Sequence, residues 1–336
     1  MDTKHLAHQL KEHSRKILFI ASLAALSYVC YRSFWLNRKV SHLLILRDKL
    51  ILSKISLKSP PLNEMKIYSF SEFQKGKIPK TQGFDIRKLL NSTNPGVLRY
   101  AANVMYSHIT TSTAKVFDTI DGIKEGLLYV ADLQTQGTGR TGPWMSEPGS
   151  LLYSYLFSCH AQHAVMIQLI VPLAIIRAIV KIGTRNGISQ ERLDYVKLKW
   201  PNDILYRDVK IAGILVNSKS EGKDFVMNIG IGINCDNKKP TTCLNLEYGG
   251  IFTKEDLVAE YLAEFSEICD LLEKQGGYEK IRDEYKLKWY HYNKIVDLPN
   301  QKVKGKLIDI TEDGVLHVED DEGNGYQVHS REEIIF

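Results

Sequence analysis

The distribution of apolar residues along the chain predicts a body built from both strands and helices. Short apolar runs bounded by glycine or polar residues are typical of buried strands, whereas residues 196–200 alternate apolar and charged side chains like a half-buried strand. The predicted buried strands are 126–131, 151–157, 211–216 and 225–233.

Two longer segments have the pattern of helices. Residues 166–183 are almost continuously apolar. Pro172 lies within them and predicts that the regular turns begin there, because proline is favoured in the first turn of a helix. Residues 253–274 begin with Thr253 as the N-cap, and Asp256 follows at the capping-box position.

The last part of the chain has short strands separated by turns. Gly305, Gly314 and Gly325 recur at intervals typical of a small β-barrel of SH3 size. We therefore predict an α+β protein, with a domain of catalytic size over residues 62–290 and an SH3-like C-terminal domain over residues 291–336.

Residues 1–61 form a separate basic, apolar segment that ends in a Ser-Pro-Pro linker. Residues 17–31 carry no charge and are flanked by Arg and Lys. This pattern fits a membrane anchor, an Arg-rich organelle presequence, or a helix that packs on protein. We expect membrane contact through residues 15–39, and a cytoplasmic protein that is free, membrane-tethered or organelle-targeted according to which alternative holds.

Composition and charge exclude several classes. The chain has 336 residues, of which 44% are hydrophobic and 25% charged, which excludes a disordered or collagen-like protein. The formal net charge is +5, but residues 1–60 alone contribute +8. The body is therefore slightly acidic, and no nucleic-acid partner is expected. Five Cys without a CxxC pair indicate reduced thiols, and no Cys/His cluster has zinc spacing.

A glycine-rich stretch at 137–142 matches the GxGxxG pattern. A dinucleotide-binding fold would need a helix at the third glycine and an acidic residue about 20 positions further on. Pro143 and Trp144 follow instead, and residues 157–163 contain no Asp or Glu. Two interpretations remain: a loop whose backbone and Arg140 bind an anion, or a plain connection between strands.

Four motifs, in this order, resemble those of biotin–protein ligases: GTGRTG with Trp144 after it, KWPND, KIAGIL and GIGIN. The resemblance runs from about residue 97 to the C-terminus and fits the eukaryotic type best. No helix-turn-helix module is evident in residues 1–60. The resemblance implies that residues 62–290 form a mixed-sheet catalytic domain with the fold shared by biotin ligases and class II aminoacyl-tRNA synthetases.

The same resemblance implies a two-step reaction. Biotin and Mg·ATP give biotinyl-5′-AMP, and the biotinyl group then passes to a lysine of a biotin carrier domain in a carboxylase such as acetyl-CoA or pyruvate carboxylase. Two anions must meet in such a site, and their repulsion at 4 Å is about 4 kcal/mol at an effective dielectric constant near 20. Fixed cations have to offset that repulsion.

The resemblance assigns catalysis to Lys199 and Arg140 and predicts no protein ligand for a metal. Ala114 stands where bacterial members often have Asn. The residues implied to bind biotin are Ser112, Thr113, Ala114, Gln134, Thr138, Gly139, Arg140, Lys199 and Gly213. The residues implied to bind the nucleotide are Gly137, Trp144, Asn202, Asp203, Lys210, Ile214 and Gly232.

Two other functions stay open. Lipoate and octanoate ligases or transferases share the catalytic fold and also modify carrier lysines. A protein that binds biotin or carrier domains without turnover belongs to a different class. Retention of Arg140 and Lys199 argues against the second alternative.

Overall fold

The computed structural model describes most of the predicted body and little of the N-terminal segment. Residues 15–39, for which membrane contact is predicted, lie outside the described residues. The described residues are 42–46, 56–57, 65–78, 81–118, 120–121, 123, 125–238 and 240–336.

A nine-stranded mixed sheet forms the centre of the larger domain, with the strand order β3-β1-β4-β6-β7-β11-β10-β9-β8. The β1/β3 and β4/β6 pairs are parallel and the others are antiparallel. The strands are β1 (His42–Leu46), β3 (Met65–Ser69), β4 (Asn103–Thr110), β6 (Leu127–Gln134), β7 (Leu151–His160), β8 (Val196–Lys199), β9 (Asp203–Tyr206), β10 (Val209–Glu221) and β11 (Asp224–Ile233), and a small ribbon pairs β2 (Ser56–Leu57) with β5 (Ile120–Asp121).

The sheet extends further toward the N-terminus than the sequence predicts. Strand β1 lies before the predicted boundary at residue 61 but pairs with both β3 and β4. Ile45 on β1 is fully buried. The sheet therefore includes residues that the sequence places in the N-terminal segment, because the basic residues around them obscure the apolar run.

The helices lie on both faces of this sheet. Tyr153 and Tyr155 of β7 contact Tyr261, whereas Ser154 between them contacts Thr113. Since alternate residues of a strand point to opposite faces, the helices that carry Tyr261 and Thr113 lie on opposite sides. The helices are α1 (Phe70–Gln74), α2 (Ile86–Leu90), α3 (Pro95–Tyr100), α4 (Thr113–Phe117), α5 (Ala164–Arg185), α6 (Gln190–Leu193), α7 (Leu244–Tyr248), α8 (Lys254–Leu272) and α9 (Gly277–Lys288).

Helix α5 corrects one prediction. Pro172 lies in the helix interior instead of the first turn. Its ring removes one backbone hydrogen bond, but the neighbouring Val171 and Leu173 are fully buried, and this packing maintains the helix.

Among the described residues, the helical segment Ala161–Arg185 is the one long and apolar enough to cross a bilayer, and most of it is buried inside the protein.

Helix α8 begins as predicted. The Thr253 side chain accepts a hydrogen bond from the Asp256 backbone N–H at 3.2 Å, and the two side chains are 2.7 Å apart. Its buried face packs on α5, and Glu264 receives a hydrogen bond from Lys181 at 2.8 Å. This helix pair covers the sheet face that carries Tyr153 and Tyr155.

The C-terminal domain is a four-stranded antiparallel sheet. Its end returns to its start, because Asp297 pairs with Ile335. The segment before it lies along β8, where the Tyr290 N–H donates to the Leu198 carbonyl at 2.7 Å. The strands are β12 (Ile295–Leu298), β13 (Val303–Ile310), β14 (Leu316–Glu319) and β15 (Gly325–Val328). The architecture is of the predicted α+β class.

Candidate active site

One cavity of about 340 Å³ lies on the α4 face of the sheet. Small residues form its floor: Gly213 pairs with Gly232 across β10 and β11, and Gly230 pairs with Ser154 across β11 and β7. All predicted site residues except Gly137 line it, namely Ser112, Thr113, Ala114, Gln134, Thr138, Gly139, Arg140, Trp144, Lys199, Asn202, Asp203, Lys210, Gly213, Ile214 and Gly232.

The inner end of the cavity consists of Ser112, Thr113, Gln134 and Ser154. The Thr113 N–H donates to Gln134 Oε1 at 2.6 Å, and Thr113 Oγ1 is 2.8 Å from Ser154 Oγ. Ser112, Thr113 and Ser154 are buried. Because buried polar groups need partners, this mutual bonding holds the inner end in one arrangement.

The glycine-rich stretch forms a tight loop above the cavity. The Gly139 N–H donates to the Gly142 carbonyl at 2.7 Å, and the Trp144 N–H donates to the Gly137 carbonyl at 2.9 Å. Arg140 lies at the tip with about a third of its side chain exposed, 3.8 Å from the exposed Glu332. The guanidinium is therefore available to an anion in the cavity.

Gly137 does not line the cavity, contrary to the predicted nucleotide contact. A Cβ at this position would lie 2.8 Å from the Trp144 carbonyl oxygen. The absence of a side chain lets the two ends of the loop approach each other. Gly137 thus shapes the loop that carries Arg140.

The KWPND motif is a strand end followed by a turn. Lys199 ends β8, and the Trp200–Pro201 peptide bond is cis. The Asn202 side chain donates to the Ile214 carbonyl, and the Ile214 N–H donates to the Asn202 carbonyl, both at 2.9 Å. Asn202 therefore fixes the turn to β10, which leaves Lys199 facing the cavity.

The ring of Trp144 packs on glycines of the floor. A Cβ on Gly213 would lie 2.7 Å from the ring, and one on Gly232 would lie 2.5 Å from it. Lys210 Nζ is 5.4 Å from the ring centroid and forms an ion pair of 2.6 Å with Asp203. Gly213 and Gly232 therefore leave room for the Trp144 ring, which a larger residue at either position would displace.

We call Arg140, Lys199, Lys210 and Arg331 the outer end of the cavity. Arg331 follows β15 and lines the cavity from the C-terminal domain. These four cations face a single carboxylate among the residues that line the cavity, that of Asp203. The outer end is therefore suited to an anionic ligand.

The charge at the outer end also affects His291, which is buried and stacks on Phe336 at 3.7 Å. Burial, together with the positive charges of Lys199, Lys294 and Arg331, lowers the pKa of His291 to about 3. The imidazole is consequently neutral near pH 7. A second positive charge beside Lys199 is thereby avoided.

Comparison with known protein families agrees with this geometry. Residues 104–234 match the biotin/lipoate A/B protein ligase family, and residues 294–336 match the biotin protein ligase C-terminal domain. Together the matches cover about half of the chain. The chain belongs to the biotin–protein ligase family. The predicted family, fold class and enzyme class are confirmed.

Individual relatives extend the match to most of the chain. Biotin–protein ligase 2 of Arabidopsis thaliana is 27% identical over 294 residues, which is 80% of this chain and 88% of the relative. Human biotin–protein ligase is 29% identical over 67% of this chain and 33% of its own length. The Aquifex aeolicus enzyme crystallised with biotin and ATP aligns with a TM-score of 0.56, 22% identity and coverage of 69% of this chain and 97% of its own, which supports the fold.

Two polar residues that line this cavity, Ser154 and Arg331, are absent from the residues predicted from the sequence. Ser154 is a small polar residue inside the apolar strand β7, and that contrast was a usable indication. Arg331 had no local indication, because it reaches the cavity only through the position of the C-terminal domain. The functional roles of the other cavity residues stay predictions.

Proposed function

We propose that the enzyme joins biotin to ATP, forming biotinyl-5′-AMP and pyrophosphate, and then transfers the biotinyl group to a lysine of a biotin carrier domain. Ligation of biotin to proteins follows from the family. The observation that carries the two-step proposal is one cavity with a buried, uncharged polar inner end and a cationic outer end. Such a cavity fits a neutral ring at one end and an acyl phosphate at the other.

In the first step a carboxylate oxygen of biotin attacks the α-phosphorus, and the bond to pyrophosphate breaks. Lys199 and Arg140 line the same cavity, so both charges act on the anions that meet there. In the second step the acceptor amine attacks the acyl carbon and AMP leaves. The cations then stabilise the departing phosphate.

Mg²⁺ belongs to the proposal as the partner of the triphosphate, whose charge it neutralises. Among the described residues no cluster of His, Cys, Asp or Glu is arranged to hold a metal ion. Asp203 is paired with Lys210, so the protein offers at most one shared carboxylate. This donor set fits an ion that arrives with the nucleotide.

Lipoate or octanoate is the alternative substrate, since the family model of residues 104–234 covers both ligase types. The match to a biotin protein ligase C-terminal domain favours biotin. The inner end favours it too, because hydroxyl and amide groups pair with a ureido ring and find no partner in a dithiolane or an alkyl chain.

Substrate-dependent pyrophosphate exchange tests the function. The purified chain with ATP and Mg²⁺ should exchange label when biotin is present and not with lipoate or octanoate. Addition of a carrier domain from acetyl-CoA or pyruvate carboxylase should then yield biotinylated lysine. Biotin binding without exchange would support a non-catalytic binding protein, and exchange with lipoate would support the other ligase type.

The location of the enzyme is a separate proposal. We propose a cytoplasmic enzyme with membrane contact through residues 15–39. The proposal is based on the uncharged stretch at residues 17–31, which has Arg and Lys residues on both sides. Fusion of residues 1–60 to a fluorescent protein and cell fractionation should show membrane association. A fully soluble fusion, or one imported into an organelle, would contradict it.

A further inference from the structure

Helix α4 carries part of the inner end but is too short to hold itself in place. It spans Thr113–Phe117, and a helix of this length is not stable alone. Its last carbonyl groups lack the usual partners four residues on, because the chain leaves the helix. The Asp118 N–H donates to the carbonyls of Lys115 and Val116, and not to that of Ala114.

The carbonyl of Ala114 is instead satisfied from the sheet. Asn228 Nδ2 donates to it at 2.8 Å in a buried hydrogen bond. Asn228 is on β11 and only 7% exposed. Its own Oδ1 has no hydrogen-bond partner within the part of the chain that the structure describes. Asn228 therefore acts through its side-chain N–H, which holds the Ala114 carbonyl, and not through its Oδ1.

The pattern of β11 points to the same conclusion. Asn is disfavoured inside strands, and its neighbours Met227 and Ile229 are buried and apolar. Asn228 shares a strand face with Gly230, which lines the cavity. A Cβ on Gly230 would lie 3.5 Å from Ala114 Cβ, so α4 rests directly on this face.

We propose that Asn228 is a positioning residue for the biotin ring: its side-chain N–H holds the Ala114 carbonyl and thereby fixes Ser112 and Thr113 at the inner end. The inference rests on the proposed function and deepens it. Asn228 does not line the cavity itself, so it acts through α4 and has no direct contact with the nucleotide at the outer end.

The test is steady-state kinetics on the full chain with Asn228→Asp, which keeps the shape of the side chain and replaces the donor with a carboxylate oxygen that repels the Ala114 carbonyl. The KM for biotin should rise roughly tenfold, as for loss of one buried hydrogen bond. The KM for ATP and kcat at saturating biotin should stay within about twofold, because the outer end is unchanged. A general structural defect would instead lower kcat without this split.

Asn217→Asp is the matched control, since Asn217 pairs with Asn228 across β10 and β11 but is exposed. If Asn228→Asp fails to fold, Asn228→Leu is the second variant, because it keeps a similar size and removes the donor without adding a charge, and its KM for biotin should also rise. A normal KM for biotin in the variant that folds overturns the inference. Absence of biotin turnover in the parent chain overturns the proposed function itself.

Discussion

The two ends of the cavity are built in different ways. At the inner end, Thr113, Gln134 and Ser154 bond to one another and two of them are almost completely buried. At the outer end, Arg140 is partly exposed and its one ion pair, with Glu332, is 3.8 Å long. The inner end is therefore preorganised by its own hydrogen bonds, whereas at the outer end Lys210 is paired with Asp203 at 2.6 Å and Arg140 has a long, exposed contact.

Because of this difference, substitutions at the two ends of the cavity should affect different steps of the reaction. A substitution at the inner end disturbs a set of mutually dependent hydrogen bonds and should change binding of the ring. A substitution at the outer end removes charge and should change the step in which negative charge moves between oxygens. Separate measurement of the KM for biotin and for ATP distinguishes them.

The largest effect is expected for Lys199→Ala. Loss of this charge should lower the rate of biotinyl-AMP formation by roughly 10²–10³, as for removal of one preorganised contact. Pyrophosphate exchange measures the rate. Lys197→Ala is the matched control, because Lys197 is on the same strand but bonds to the Leu287 carbonyl outside the cavity. An exchange rate near that of the parent would remove Lys199 from the catalytic site.

Gly232→Ala and Gly230→Ala compare the two ends within one strand. The new Cβ at residue 232 would lie 2.5 Å from the Trp144 ring and must displace it. The KM for ATP should rise roughly ten- to hundredfold, as for a misplaced binding group. At residue 230 the nearest atom is Ser154 Oγ at 3.4 Å, so the fold tolerates the methyl group and the KM for biotin should rise instead.

An equal KM for ATP in Gly232→Ala and Gly230→Ala would contradict the division of the cavity into two ends. Thermal unfolding of each variant is the control for folding. Gly230→Ala should unfold near the parent temperature because its contacts are of ordinary length.

The sequence motifs predicted which residues line the cavity better than they predicted the outline of the domain. Lys199, Trp144 and the strand glycines were recognised because each motif is local. Strand β1 was missed because a five-residue apolar run inside a basic segment resembles a targeting sequence. Pro172 was misplaced because tertiary burial overrides the helix-breaking tendency of proline.

Arg331 could not be found from the sequence, since its contribution depends on how the C-terminal domain lies against the sheet. Arg331→Ala should raise the KM for ATP about fivefold, the effect of one partly solvated charge of about 1 kcal/mol. The KM for biotin should be unchanged. Glu332→Gln is the neighbouring control and should alter neither value more than twofold, because its ion pair with Arg140 is long and exposed. An unchanged KM for ATP in Arg331→Ala would show that Arg331 does not contribute to ATP binding at the outer end.

The smallest effect concerns stability and tests whether burial and the nearby cations keep His291 neutral in the folded chain. The folded pKa of His291 is about 3, below the ordinary value of 6.5. Between these two pH values the unfolded chain binds a proton that the folded chain excludes, so the free energy of unfolding falls as the pH decreases from about 6.5 toward 3. Urea unfolding at pH 7.5, 6.5 and 5.5 should show this loss, with a slope contribution of at most about 1.4 kcal/mol per pH unit.

His291→Gln should lose less stability than the parent chain over the same range, because glutamine does not titrate. Arg331→Ala should also reduce the loss, since one of the charges that keeps His291 neutral is removed. If the parent and His291→Gln have parallel pH profiles, His291 titrates normally in the folded chain. Burial and the nearby cations would then not keep the imidazole neutral, and the smaller loss expected for Arg331→Ala would have no basis.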